Sequence, residues 1–144
     1  MKTGAAKELS YQDIKIGDEA SFDAVLTEDD VKTFMRLCGD INPLHSDDTY
    51  AARTKFGGTI MHGMLVSSLF STLVGVYLPG KYGLYVSQEL QFKNAVRPNA
   101  GLRVRGQVIR TMDALKLITI DTTITDRNSG VVYVAGKAQV QLLQ

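Results

Sequence analysis

The segment Cys38-Gly39-Asp40-Ile41-Asn42-Pro43-Leu44-His45 brings a carboxylate, a carboxamide and an imidazole into one short stretch of chain. An acid and an imidazole side by side can hold a water between them. The carboxylate accepts its proton while the imidazole orients it or donates to a leaving hydroxyl, which is general acid and base chemistry. Taken singly, each also has a plainer reading, Asp40 as a turn cap and His45 as a satisfied structural histidine. A second feature is Met61-His62-Gly63-Met64, which opens an apolar run that Pro79-Gly80 stops. Backbone N–H groups in the first turn of a helix have no intrahelical acceptor. Gly63, lacking a side chain, would there let a developing oxyanion such as that of a thioester approach closely. Its alternative role is to allow close packing at the helix start.

Other chemistries find less support. His45, His62 and the carboxylates lack a ligand spacing such as His-Glu-x-x-His, and no glycine-rich phosphate loop is present, so neither a metal nor a cofactor is expected. The single cysteine, Cys38, leaves no intramolecular disulfide; within an apolar helical pattern it reads as a small buried hydrophobe, and a reducing, cytoplasmic setting suits it. Sixteen Lys plus Arg against 15 Asp plus Glu give a net charge of +1, without the basic excess that nucleic acid requires.

These residues need elements to position them. Thr27, followed by Glu28, Asp29 and Asp30, is a helix start with a hydroxyl cap and acids where the backbone N–H groups are free. Val31, Phe34, Met35 and Cys38 recur at helical spacing, and Gly39 suits a left-handed C-terminal cap. Pro43 fixes its own φ and biases Asn42 away from helix, so residues 40–44 are expected to form a shaped loop that turns Asp40 and His45 together. Ser46 or Asp47 then caps a short helix through Arg53. Residues 61–78 read as one long helix, apolar nearly all round and relieved by Ser67, Ser68, Ser71 and Gly75. His62 and those hydroxyls argue for a buried core helix over a membrane span. Strand-like alternation covers residues 20–26 and recurs in four later stretches: Leu84, Val86, Leu90 and Phe92 against Tyr85, Ser87, Glu89, Gln91 and Lys93, then residues 102–110, 115–125 and 131–142. The pattern is α+β: one helix wrapped by a curved antiparallel sheet in a single domain over residues 9–144. Residues 1–8 read as a frayed tail, neither signal peptide nor anchor.

Phe34-Met35-Arg36-Leu37-Cys38-Gly39-Asp40-Ile41-Asn42-Pro43-Leu44-His45, followed by Ala51-Ala52, resembles the hydratase motif of the MaoC-like, R-specific enoyl-CoA hydratases. His62-Gly63-Met64-Leu65, with Ser67-Ser68-Leu69-Phe70-Ser71 behind it, resembles the start of that family's central helix, and Phe92-Lys93 and the closing strands extend the likeness over residues 9–142. Residues 94–101 depart from it, where many relatives carry a proline and then Gly-Asp.

The resemblance implies a hot dog fold that dimerises. It also implies reversible addition of water across the 2,3 double bond of a trans-2-enoyl thioester carried by coenzyme A or acyl carrier protein. Asp40 and His45 match the family's catalytic pair, and Gly63 matches the glycine whose N–H meets the thioester oxyanion. Asn42 is expected to order the loop as in Asx turns. Ser71 matches a serine of the family's site, but eight residues of helix put it about 12 Å in rise from Gly63, so it is at best a positioning residue. Lys93, Arg97, Arg103 and Arg105 could meet coenzyme A phosphates or form a solvated basic face. A hot dog thioesterase and a non-catalytic acyl-thioester binding protein are the competing functions.

Overall fold

The computed structural model describes residues 4–144. In chain order the elements are β1 (Glu19–Val25), α1 (Glu28–Cys38), α2 (Pro43–Ser46), α3 (Asp48–Ala52), α4 (Gly63–Ser67), α5 (Leu69–Thr72), a π-helical turn (Leu73–Tyr77), β2 (Gly83–Gln88), β3 (Gln91–Phe92), β4 (Gly101–Met112), β5 (Leu117–Asp126) and β6 (Val132–Leu142). The strands make one antiparallel sheet ordered β1-β4-β5-β6-β2, with β3 also paired to β6. The α+β expectation and the helix-on-curved-sheet architecture hold.

Period-two alternation decides which residues of the long strands form the core. Ile118, Ile120, Thr122 and Ile124 of β5 are buried, as are Leu102, Val104 and Val108 of β4 and Val134, Ala138 and Val140 of β6. Against them pack Leu65, Val66, Leu69, Phe70, Leu73 and Val74 from the helical segment. Gly106 of β4 makes that approach possible: a Cβ there would lie 2.7 Å from Leu73 and 2.9 Å from Ile120. Register shifts at Val108/Arg110, Ile124/Thr125 and Tyr85/Ser87 add local twist, so the sheet curls around the helix instead of lying flat.

Four departures from the sequence reading matter. The single long helix over residues 61–78 is a succession of three pieces beginning at Gly63. The Ser67 hydroxyl donates to the Gly63 carbonyl (2.7 Å) and that of Ser68 to Leu65 (2.6 Å), competing with the main chain where α4 gives way to α5. Nor is the segment enclosed all round, since Met64, Ser68, Ser71 and Gly75 share an exposed face. On edge strand β2 the apolar residues Leu84 and Val86 are exposed. Finally, of the expected tail, residues 1–3 lie outside the described residues, whereas Lys7 exchanges backbone hydrogen bonds with Val76 and Lys81, and Glu8 pairs with Lys81 at 3.0 Å.

Candidate active site

The acid is delivered by α1. Its start is a capping box, in which Thr27 Oγ1 accepts from the Asp30 N–H (3.2 Å) and the Asp30 carboxylate accepts from the Thr27 N–H (2.7 Å). Its end is Gly39, left-handed at φ 80°, whose N–H donates to the Met35 carbonyl (2.8 Å). Asp40 comes next, its side chain half exposed. Asp40 Oδ1 accepts from the Asn42 N–H (3.2 Å), and Asn42 Oδ1 accepts from the Leu44 N–H (2.9 Å), so two successive Asx-type bonds shape the turn. Pro43 does not remain in the loop as expected. With φ already helical and no N–H to satisfy, it opens the one-turn helix α2, which carries His45.

His45 donates from Nδ1 to the Ile60 carbonyl (2.8 Å). A carbonyl only accepts, so the neutral ring has its proton on Nδ1 and a bare Nε2 available to the cavity. The segment supplying that carbonyl is itself pinned, Ile60 N–H to Leu44 O (3.2 Å) and Met61 N–H to Val96 O (2.8 Å), and it leads directly into Gly63 at the start of α4. Around these groups lies a cavity of about 730 Å³ lined by Phe34, Asp40, His45, His62, Gly63 and Val66, among others.

Asp40, His45 and Gly63 therefore come together on one cavity. Asn42 orders the loop without lining it, and Ser71 is exposed on the open helix face, outside the cavity. Val66, Val96 and Val134 line its apolar part, whereas Leu65, Leu69 and Phe70 do not. At Gly63 both sequence readings meet: a Cβ would lie 2.6 Å from the Phe92 ring, and the N–H is in the first turn without an intrahelical acceptor. Cys38, expected inside, is exposed and lines the cavity, because α1 packs through Val31, Phe34 and Met35 and its last turn projects beyond them.

Of Lys93, Arg97, Arg103 and Arg105, Lys93 alone lines the cavity, and Lys55 lines it as well. Arg97 is committed to the carbonyls of Thr59 (2.7 Å) and Phe56. Arg103 and Arg105 pair across the sheet with Asp23 (2.8 Å) and Glu19, and these hydrogen bonds hold both carboxyls below the usual carboxylate range.

His62 is the residue that sequence reasoning passed over. It is 2% exposed, donates from Nε2 to the Asp40 carbonyl (3.0 Å), and lies against His45 with ring centroids 3.8 Å apart and planes tilted by 31°. One potential ligand atom from each of Asp40, His45 and His62 falls within 4.8 Å of the others. One nitrogen of each ring is bound to a backbone carbonyl, an orienting bond that leaves the other nitrogen free.

A helix segment in a curled antiparallel sheet, with an acid, an imidazole and a helix-leading glycine on one cavity, defines a hot dog domain of the hydratase type. The chain belongs to the MaoC-like domain family, whose model matches residues 12–130. It is 36% identical over 134 residues to an (R)-specific enoyl-CoA hydratase of Aeromonas caviae, covering 93% of this chain and 99% of that protein. The solved A. caviae (R)-hydratase superposes with a TM-score of 0.86 over 91% of this chain and 98% of its own. An R-hydratase structure from Pseudomonas aeruginosa, 29% identical, gives 0.87 over 95% and 87%. A mitochondrial 3-hydroxyacyl-[acyl-carrier-protein] dehydratase of Arabidopsis thaliana is 37% identical over 83 residues, 58% of this chain and 49% of that protein.

Proposed function

We propose that this protein is an R-specific enoyl-thioester hydratase, equally a 3-hydroxyacyl-thioester dehydratase in reverse, acting on trans-2-enoyl groups carried by coenzyme A or acyl carrier protein. The observation that carries the reading is the convergence of Asp40, His45 and Gly63 on one apolar-walled cavity. A water donating one O–H to the Asp40 carboxylate and the other to His45 Nε2 turns a lone pair toward C3 of the enoyl group. As the C–O bond forms, electron density moves through C2 to the thioester oxygen, which the Gly63 N–H stabilises. The proton taken from water returns to C2, leaving the pair as it began; dehydration runs the same steps backward.

Asn42 serves by holding the turn, and Lys55 and Lys93 at the rim suit the phosphate that both carriers present. The working form is a homodimer in the cytoplasm: edge strand β2 with exposed Leu84 and Val86, and the open helix face of Ser68, Ser71 and Gly75, are surfaces a second copy would cover. Ser71 would reach an acyl chain only in that assembled pair. No helix among the described residues is long and apolar enough to cross a membrane.

Mixing purified protein with crotonyl-CoA, and following enoyl absorbance together with free thiol, tests the reading. Absorbance loss without thiol release supports hydration. Thiol release would mean a thioesterase, and no change in either signal across several acyl lengths, on coenzyme A and on acyl carrier protein, would remove the enzyme assignment.

A further inference from the structure

The imidazole of His62 is almost completely buried, yet its Nδ1 has no hydrogen-bond partner among the described residues. A buried polar atom without a protein partner is a group whose role the rest of the ring must explain. The other edge of the ring does so. Nε2–H donates to the main-chain carbonyl of Asp40 at 3.0 Å, the ring centroid lies 3.8 Å from that of His45 and 5.1 Å from that of Phe34 in an edge-type contact, and its own backbone caps α4 immediately before Gly63. A proton on Nδ1 would add a second buried donor with nothing to accept it, so the ring is the neutral Nε2–H tautomer.

We infer that His62 is the positioning residue that locks the acid loop to the helix carrying Gly63, its Nε2–H fixing the peptide of Asp40 and its ring face fixing the plane of His45. The inference rests on the hydratase reading for its kinetic consequence, not for its geometry. Two polypeptide segments 22 residues apart supply the site; His45 and Leu44 hold Ile60 of the second, and His62 is the side chain that ties the second to Asp40 itself. Without it Asp40 remains chemically intact but loses its fixed distance from Gly63, and a displacement of about 1 Å costs on the order of 10²-fold in rate.

The chain has two histidines, and the structure gives them opposite tautomers, Nδ1–H for His45 and Nε2–H for His62. Nitrogen-15 NMR of histidine-labelled protein reads this directly, whatever the activity. One ring with a bare Nε2 and one with a bare Nδ1 is the expected spectrum, the second signal disappearing in His62→Phe. A His62 ring carrying its proton on Nδ1, beside a His45 ring that does the same, would overturn the inference while leaving the hydratase reading untouched.

Kinetics give the second arm. His62→Phe keeps the ring shape and removes the donor; His62→Gln returns an amide N–H near the position of Nε2. His62→Phe should lower kcat by about 10- to 100-fold with KM changed less than threefold, and His62→Gln should recover most of the loss. A folded His62→Phe enzyme with kcat within threefold of the parent, or a His62→Gln enzyme no better than His62→Phe, would refute it. Should His62→Phe fail to fold, the tautomer spectrum of the parent and the kcat of His62→Gln decide.

Discussion

Replacing Asp40 by Asn separates the proposed chemistry from the fold. The carboxylate is 51% exposed, and its structural bond, Oδ1 accepting from the Asn42 N–H at 3.2 Å, is one that a carboxamide oxygen makes equally well. The stability change should therefore stay within about 1 kcal/mol, a shift of about 3 °C at most in Tm for a chain this size. What Asn cannot do is take a proton from water. Loss of a positioned general base costs about 10²- to 10⁴-fold, and at 1.36 kcal/mol per decade this is about 2.7 to 5.4 kcal/mol of transition-state stabilisation. The barrier should thus rise several times more than the fold weakens. Measuring crotonyl-CoA hydration beside thermal unfolding of the same preparation gives both quantities. Because Asp40 and His45 act on one water, the double variant with His45→Gln should be little worse than the poorer single one. A folded Asp40→Asn enzyme within tenfold of parental kcat/KM, or single losses that multiply in the double variant, would refute the shared-water mechanism.

Other consequences are more local. In the capping box of α1, the backbone N–H and hydroxyl of Thr27 hold the Asp30 carboxyl below the usual carboxylate range. A carboxyl with a depressed folded-state pKa stabilises the fold above its unfolded value and loses that contribution as pH falls through the folded one. Asp30→Asn should thus cost about 0.5–1 kcal/mol at pH 7, and the gap from the parent should close below about pH 4 in urea titrations. Gly136→Ala would drive a Cβ into the Glu89 carbonyl where β2, β3 and β6 meet, costing at least about 2 kcal/mol, or about 6 °C in Tm. Lys93→Gln should raise KM for crotonyl-CoA about threefold to tenfold, whereas Arg103→Gln and Arg105→Gln, whose partners lie on β1, should leave it within twofold.

Local chemistry made the acid loop legible in the sequence. Thr27 and Gly39 cap α1 through bonds that span three or four residues, so their residue types alone announce the ends, and Pro43 announces the change of direction between Asp40 and His45. The long strands were legible because burial on one face writes alternation into β4, β5 and β6. The breaks in the central helix were not, since no proline marks them; they arise where adjacent serines donate to carbonyls of their own helix. Four basic residues looked alike in sequence, yet Arg97, Arg103 and Arg105 are spent on partners 38 to 86 residues away and only Lys93 faces the cavity. His62 escaped for the same reason. Its partner, the Asp40 carbonyl, is a backbone atom that no residue type advertises.

That choice of partner bears on the proposed chemistry. Both imidazoles are hydrogen-bonded to main-chain carbonyls, Ile60 for His45 and Asp40 for His62, with the Asp40 carboxylate 3.8 Å from His62 Nε2. A carbonyl neither gains nor loses a proton between pH 4 and 10, so the groups that aim the two rings stay fixed while Asp40 and His45 exchange protons with water. Had a carboxylate oriented His45, it would have been a third member of the titrating set and a competing acceptor for the water's proton. In the proposed mechanism Asp40 and His45 act as a closed couple on one water. His62, through its bond to the Asp40 carbonyl, would keep that couple in register with Gly63.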